Sequence, residues 1–173
     1  LYLHTKVIIR NFDVWQRGTS TTSVAYLADR WWSYFLGGTA VTYSRQEFTL
    51  GQTDVPHNPK YYARLAVTTD NSSDSRSSFI QKIEGVRAFS GQTATVSFWA
   101  KADANKDIAI EILQEFGTGG SPSTYAVAAT PQKFSITTNW TKYTKTFSLS
   151  SISGKTLGSD NNDCLHLSIW MDG

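Results

Sequence analysis

The sequence predicts an all-β protein, more specifically an antiparallel β-sandwich of the jelly-roll kind. Charged residues make up only 17% of the 173 residues, whereas about 25% is usual in globular domains. Aromatic residues reach 13%, and aromatic and β-branched side chains suit the pleated, half-buried surface of a strand. Short stretches of strand character recur between clusters of Gly, Asn, Asp and Ser, which is the pattern of a sandwich or barrel.

Five strands are predicted in the first half of the chain. Gly37 and Gly38 form a tight-turn signal after the second strand, and residues 50–60 form an irregular loop with two prolines. Residues 70–75 are all Asp, Asn or Ser and are expected to form an exposed turn. Gly85 is expected to mark a bulge in the fifth strand. In chain order the predicted strands span residues 6–15, 29–36, 41–48, 61–68 and 78–89.

The second half contains the clearest strand, residues 93–101, in which Ala94, Val96, Phe98 and Ala100 alternate with outward-facing polar residues and Trp99. Residues 107–116 fit helix or strand by periodicity, but their alternating isoleucines favour a strand. No segment has a helical period with caps at both ends, so the chain is predicted to form two packed antiparallel sheets. The remaining strands are predicted at residues 133–136, 142–149 and 164–170.

Residues 1–173 are predicted to form a single domain, because no repeat and no linker rich in Pro or Ser divides them. The sequence stops just after the apolar strand 164–170 and has no initiator Met. A sandwich ending there is expected to leave an unpaired strand edge, which native folds normally cover. We therefore expect that this chain is part of a longer protein and lacks the last strand of its sandwich.

Charge and composition argue against several classes of function. The formal net charge is +2, and the 16 basic residues are spread along the chain, so no patch suited to nucleic acid is expected. No run of roughly 18 apolar residues is present, so no membrane insertion is expected. Cys164 is the single cysteine, which excludes an intrachain disulfide and favours a small buried hydrophobe over a nucleophile.

No catalytic pattern is present, and the chain is not expected to be an enzyme. The sequence contains no nucleophile elbow, phosphate loop or paired-cysteine motif, and its three histidines lack the spacing of metal ligands. Glu111 and Glu115 would point to the same side of a strand. They would then lie about 13 Å apart by strand rise, too far for the usual carboxylate pair of a glycosidase.

Several segments together resemble a recurring domain of phage fibre proteins, which is itself similar to carbohydrate-binding modules of jelly-roll type. The segment Asn-Phe-Asp-Val-Trp-Gln-Arg-Gly-Thr-Ser opens the signature, and Thr-Val-Ser-Phe-Trp-Ala-Lys-Ala is its central strand. Taken in order, the matching segments cover nearly the whole chain. They are residues 11–20, 26–31, 81–86, 95–102, 116–123, 151–158 and 165–172.

The resemblance implies a virion protein with a structural or adhesive role, in a tail fibre, a head fibre or a capsid decoration. It implies other virion proteins as partners, a homo-oligomer such as a trimer, and glycans of the host surface as ligands. Fold does not determine function, so two alternatives stay open. One is a carbohydrate-binding module of a secreted polysaccharide-degrading enzyme, and the other is a depolymerase spike with an acidic cleft between subunits.

Two tryptophans are the best candidates for a binding surface. Trp99 and Trp170 each lie on the outward side of a predicted strand, where an apolar residue is unexpected and marks an interaction site. If their strands are neighbours, Glu111 and His166 would join them in one patch, where indoles stack on sugar rings and polar groups bind hydroxyls. The alternative is packing against a loop or another subunit, since Trp is common at interfaces. The other four tryptophans are expected in the core or at the sandwich ends: Trp15, Trp31, Trp32 and Trp140.

Carbohydrate-binding jelly rolls often hold a structural calcium near the chain ends, so the resemblance also suggests a metal site. Asp160, Asp163 and Asp172 could supply the carboxylates that hard cations prefer. The alternative is an ordinary exposed turn, which also favours Asp and Asn. No other cofactor is expected.

Overall fold

A computed structural model describes residues 12–38, 40–69 and 76–172 of the chain. Most of the predicted strand 6–15 and the predicted turn 70–75 lie outside these residues. The described residues form ten strands and no helix. They therefore contain no helix of the length and apolar character needed to cross a membrane. The strands are β1 (Ser20–Thr21), β2 (Trp31–Leu36), β3 (Ala40–Glu47), β4 (Tyr61–Thr69), β5 (Arg76–Glu84), β6 (Thr93–Ala100), β7 (Lys106–Glu115), β8 (Ala126–Ile136), β9 (Thr141–Ser148) and β10 (Cys164–Asp172).

All strand pairs are antiparallel, as the sequence predicts. One layer is a five-stranded sheet in the order β2-β5-β10-β7-β8, and the other strands form the sheets β1-β3-β4 and β6-β9. Two clusters of buried apolar side chains lie between these sheets, one centred on Ile110 and Phe116 and one on Trp31 and Phe79. Ile169 of β10 packs against both clusters. The all-β, antiparallel sandwich is therefore confirmed.

Strand alternation gives the five-stranded sheet two distinct faces. Leu165, Leu167 and Ile169 of β10 pack into the core, so the side chains between them point to the opposite face. We call this opposite side the outer face. In the register of the sheet, Trp170 lies between Ser78 of β5 and Ala109 of β7. Side chains of directly paired residues point to the same face, so these three residues share the outer face.

Most predicted strands match observed strands within a few residues, and the differences have local causes. β5 ends at Glu84 instead of continuing to residue 89, because Gly85 adopts a φ of +81° and begins a turn. The expected bulge is therefore a strand end. β8 begins at Ala126, seven residues before its predicted start, because it pairs along the length of β7.

The last strand occupies a central position in its sheet. β10 pairs with β5 on one side and with β7 on the other, so both of its edges make ladder hydrogen bonds. The expectation of an unpaired edge beside this strand is wrong, because strand order in a sandwich does not follow chain order. That the chain continues into a further strand stays a prediction.

Candidate functional site

Aromatic side chains cross one end of the outer face. Trp32 and Tyr34 project from β2 and Trp170 from β10, and Tyr34 and Trp170 lie on one row of the sheet with a β5 residue between them. The rings of Trp32 and Tyr34 are 5.3 Å apart, and those of Tyr34 and Trp170 are 6.3 Å apart and edge-on. We call these three residues the aromatic strip. All three are half-buried, so each ring keeps exposed surface.

A carboxylate holds the Trp170 ring in place. Glu111 of β7 points to the outer face from the row next to Trp170, opposite Ser168. The indole Nε1 of Trp170 donates a hydrogen bond of 2.9 Å to Glu111 Oε2. A ring fixed in this way loses little conformational entropy when a ligand stacks on it. Glu111 keeps a second oxygen that can accept hydrogen bonds from a ligand.

Glu115, Cys164 and His166 form a compact cluster farther along the same face, which we call the ligand triad. Cys164 lies directly opposite Glu115 in the sheet, and His166 follows two residues later on the same side of β10. Glu115 Oε2 lies 3.3 Å from Cys164 Sγ and 2.6 Å from His166 Nε2. Lys82 Nζ lies 3.7 Å from the same oxygen and 5.2 Å from the Trp32 ring centre. Lys82 thus connects the ligand triad to the aromatic strip.

Burial and mutual contacts determine the charges in the ligand triad. Burial raises the pKa of the Cys164 thiol to about 12, with a further contribution from the Glu115 carboxylate, so the thiol is protonated at neutral pH. Burial, with the Lys82 charge, lowers the pKa of His166. Partial burial alone would raise the pKa of Glu115, but the thiol hydrogen bond and the neighbouring His166 and Lys82 outweigh it and lower that pKa.

The structure brings together three of the four predicted ligand-binding residues. Trp170, Glu111 and His166 share the outer face of the five-stranded sheet. Trp99 lies opposite Lys142 in the β6-β9 sheet, on the side away from the core, and so belongs to the other layer. The expectation of one patch containing both tryptophans is wrong, because β6 and β10 are not neighbours in any sheet.

Sequence reasoning missed Trp32, which was expected in the core or at a sandwich end. Trp31 is buried against Phe79, with the two rings stacked at 4.5 Å, and Trp32 points to the outer face. A signal for this arrangement was available, because consecutive residues of a strand point to opposite faces. Two adjacent tryptophans in a strand cannot both lie in one core.

The predicted calcium ligands Asp160 and Asp163 bind protein donors. Asp160 accepts hydrogen bonds from Thr118 Oγ1 at 2.9 Å and from Ser159 Oγ at 3.2 Å. Asp163 accepts one of 2.7 Å from the backbone N–H of Val86. Within the described residues these carboxylates belong to no three-residue group of metal-ligand type, and they fit a loop-bracing role. The side chain of Asp172 lies outside the described part, so a calcium site stays a prediction.

The fold is similar to part of a phage protein of known structure. The chain aligns over 83% of its length with the enzymatically active domain of tailspike protein 4 of bacteriophage CBA120, at 11% sequence identity and a TM-score of 0.50. The alignment covers 17% of that tailspike chain. At this identity the similarity concerns the fold alone. No curated protein sequence matches the chain.

A family model described as "Carbohydrate binding domain" matches residues 39–158, which is more than half of the sequence. The match includes Glu111 and Glu115 of β7 and ends before β10. The chain therefore belongs to the carbohydrate-binding domain family.

Proposed function

We propose that this chain is a non-catalytic glycan-binding module of a phage virion protein and that it binds sugars on the outer face of its five-stranded sheet. The module would lie on the virion, in a tail fibre, head fibre or capsid decoration, and would attach the particle to glycans of the host surface. Other virion proteins and further copies of the chain, as in a trimer, would be its partners. Membership of the carbohydrate-binding domain family supports the glycan ligand.

The observation that carries the proposal is an aromatic strip bordered by hydrogen-bonding groups. The C–H face of a pyranose ring stacks on an indole, while carboxylates and an ammonium group bind its hydroxyls. Trp32 and Trp170 supply the indoles, and Glu111 and Lys82 supply the polar groups within the same face. A half-buried apolar surface with a few converging polar groups is typical of ligand sites.

The arrangement of the carboxylates favours binding over hydrolysis. Glu111 accepts the Trp170 hydrogen bond, and Glu115 contacts a thiol and a lysine. Four residue steps separate Glu111 from Glu115 along β7, about 13 Å by strand rise, whereas glycosidase carboxylates lie roughly 5–9.5 Å apart. The pair is therefore unsuited to acting on one glycosidic bond.

The virion assignment rests on the resemblance of the ordered segments to phage fibre domains. The fold similarity to a tailspike of bacteriophage CBA120 is consistent with it. Because the chain spans only a small part of that tailspike, the enzymatic activity named for the tailspike is not carried over to this module.

Binding of the purified module to host cells and to a panel of host glycans tests the proposal. We expect saturable binding that weakens at least about tenfold in Trp32→Ala and in Trp170→Ala, since buried aromatic contacts of this kind often contribute 2 kcal/mol or more. Glu111→Gln retains an acceptor for Trp170, so a loss in this variant would show that the carboxylate itself contacts the sugar. Thermal unfolding of each variant verifies that the fold is intact.

Trp99→Ala is the matched variant for this experiment, because it removes an outward tryptophan from the other layer. Unchanged binding in Trp99→Ala, with losses in the two strip variants, places the sugar on the outer face. Losses confined to Trp99→Ala would move the site to the β6-β9 sheet. A folded module that binds no glycan at all would contradict the proposal and favour packing or subunit contacts for these tryptophans.

A carbohydrate-binding module of a secreted polysaccharide-degrading enzyme is the second candidate, and the family match supports it equally. The sequence flanking this module in its gene decides between the two. A neighbouring catalytic domain would favour the enzyme, and neighbouring fibre segments would favour the virion.

A further inference from the structure

The ligand triad presents three chemically different metal-binding atoms to one point. The carboxylate oxygen of Glu115, the sulfur of Cys164 and an imidazole nitrogen of His166 all lie within 4.8 Å of one another. It is the single group of this kind among the residues that the structure describes. We propose that these three side chains bind a zinc ion on the outer face of the five-stranded sheet.

The spacing of the triad is close to that of a tetrahedral zinc site. Zinc bonds of about 2.3 Å to sulfur and about 2.0–2.2 Å to nitrogen and oxygen require ligand atoms about 3.4–3.6 Å apart. The sulfur–oxygen distance is 3.3 Å and the nitrogen–oxygen distance is 2.6 Å. The Glu115 carboxylate would have to move about 0.8 Å away from Nε2 to reach the nitrogen–oxygen spacing, and the sulfur and nitrogen already lie within 4.8 Å of each other.

The crowded contact at His166 supports a ligand at this point. The side chain of His166 is only 14% exposed, and its Nε2 lies 2.6 Å from Glu115 Oε2 without the geometry of a well-aligned hydrogen bond. A buried polar atom with a poorly aligned partner leaves part of its bonding capacity unused. A metal ion would use the lone pair of Nε2 and separate it from the carboxylate.

The position of the triad in the fold favours a preorganised site. Cys164 and His166 lie on β10, the central strand, and Glu115 lies on the adjacent β7. Ladder hydrogen bonds on both edges of β10 hold the two backbones at a constant distance, so a metal would not have to order a loop. Ligands on rigid elements are held more accurately than ligands on loops.

The donor set selects the class of metal. A thiolate and an imidazole suit zinc and other borderline or soft ions, whereas calcium and magnesium need oxygen ligands. Three protein ligands leave a fourth position in a tetrahedral site. Water would occupy it, as in zinc sites with three protein ligands. Binding would also release the thiol proton, since the thiolate is the ligand.

Titration of the metal-free 173-residue chain with zinc chloride tests the site by isothermal calorimetry. We expect one equivalent of zinc to bind, with affinity reduced at least about tenfold in Cys164→Ser, His166→Gln and Glu115→Gln, since even outer-shell changes cost 10–100-fold. Cobalt(II) provides a second readout. A sulfur-to-cobalt charge-transfer band should appear in the wild-type chain and vanish in Cys164→Ser.

His57→Gln is the matched control, because this histidine is exposed in a loop far from the triad in sequence. It should bind zinc like the wild-type chain. Should a buried variant fail to fold, the half-exposed Glu115→Gln still tests the site, and circular dichroism without metal identifies such a failure. Absence of zinc binding by the folded wild-type chain would overturn the proposal, as would equal binding by all three triad variants.

Discussion

Replacement of Gly158 by alanine should destabilise the protein by a steric mechanism that the structure defines. Gly158 lies in the loop between β9 and β10, against the loop that follows β7. A Cβ atom built on it would lie 2.6 Å from the backbone N of Thr118 and still closer to the Thr118 carbonyl oxygen. Both atoms belong to the backbone, so a side-chain rotation cannot relieve the contact. The two loops would have to separate.

The magnitude follows from the hydrogen bonds that this separation would weaken. Gly158 N–H donates to Phe116 O at 2.8 Å, Ser159 N–H to Gly119 O at 3.2 Å, and Asp160 N–H to Thr118 O at 3.2 Å. At about 0.5–1.5 kcal/mol each, loss of the three costs about 1.5–4.5 kcal/mol. For a chain of this size that corresponds to a fall of about 3–18 °C in Tm.

Urea denaturation and thermal unfolding of Gly158→Ala measure this loss, with Gly154→Ala as the control. Gly154 has a φ of +77° and open space around the built Cβ, so its replacement costs only the left-handed backbone strain, about 1–2 kcal/mol. If Gly154→Ala proves more destabilising than Gly158→Ala, the steric argument is refuted.

Three further predictions address charge, core packing and metal affinity. Hydrogen bonding by Lys133 lowers the pKa of Asp107 below its ordinary 3.8, so this carboxylate stabilises the fold at neutral pH and loses that effect as the pH falls below about 4. Asp107→Asn should therefore be less stable than the wild type at pH 7 in urea titrations, with a difference that shrinks as the pH falls below about 4, and a constant difference would contradict this. Ile110→Ala should lower the free energy of unfolding by about 2–5 kcal/mol, since Ile110 is fully buried; a loss below 1 kcal/mol would indicate that the core refills the cavity. Lys82→Met should bind zinc more tightly than the wild-type chain in calorimetry, because Lys82 is a cation competing for the Glu115 carboxylate, and weaker binding would show that the lysine assists the site.

The faces of individual strands could be predicted from sequence, because side-chain alternation is a local property. Alternating isoleucines mark one side of β7 in the sequence, and two of them, Ile110 and Ile112, lie in the core. Leu165, Leu167 and Ile169 mark the core side of β10. The same alternation puts Glu111 and His166 on the opposite side. These residues are on the outer face in the structure. The outward residues that β7 and β10 each contribute to the site could therefore be predicted before any tertiary information.

Which outward residues of different strands meet depended on strand order, which is a long-range property. Trp170 and Glu111 are 59 residues apart, and they form a hydrogen bond because β10 is inserted between β5 and β7. Trp99 has the same outward pattern as Trp170, yet its strand pairs in the other layer. Sequence alternation determined that this protein is an antiparallel sandwich with outward tryptophans. Only the pairing of distant strands, which the burial of both core clusters requires, decided which tryptophan meets which carboxylate and brought Glu115, Cys164 and His166 together.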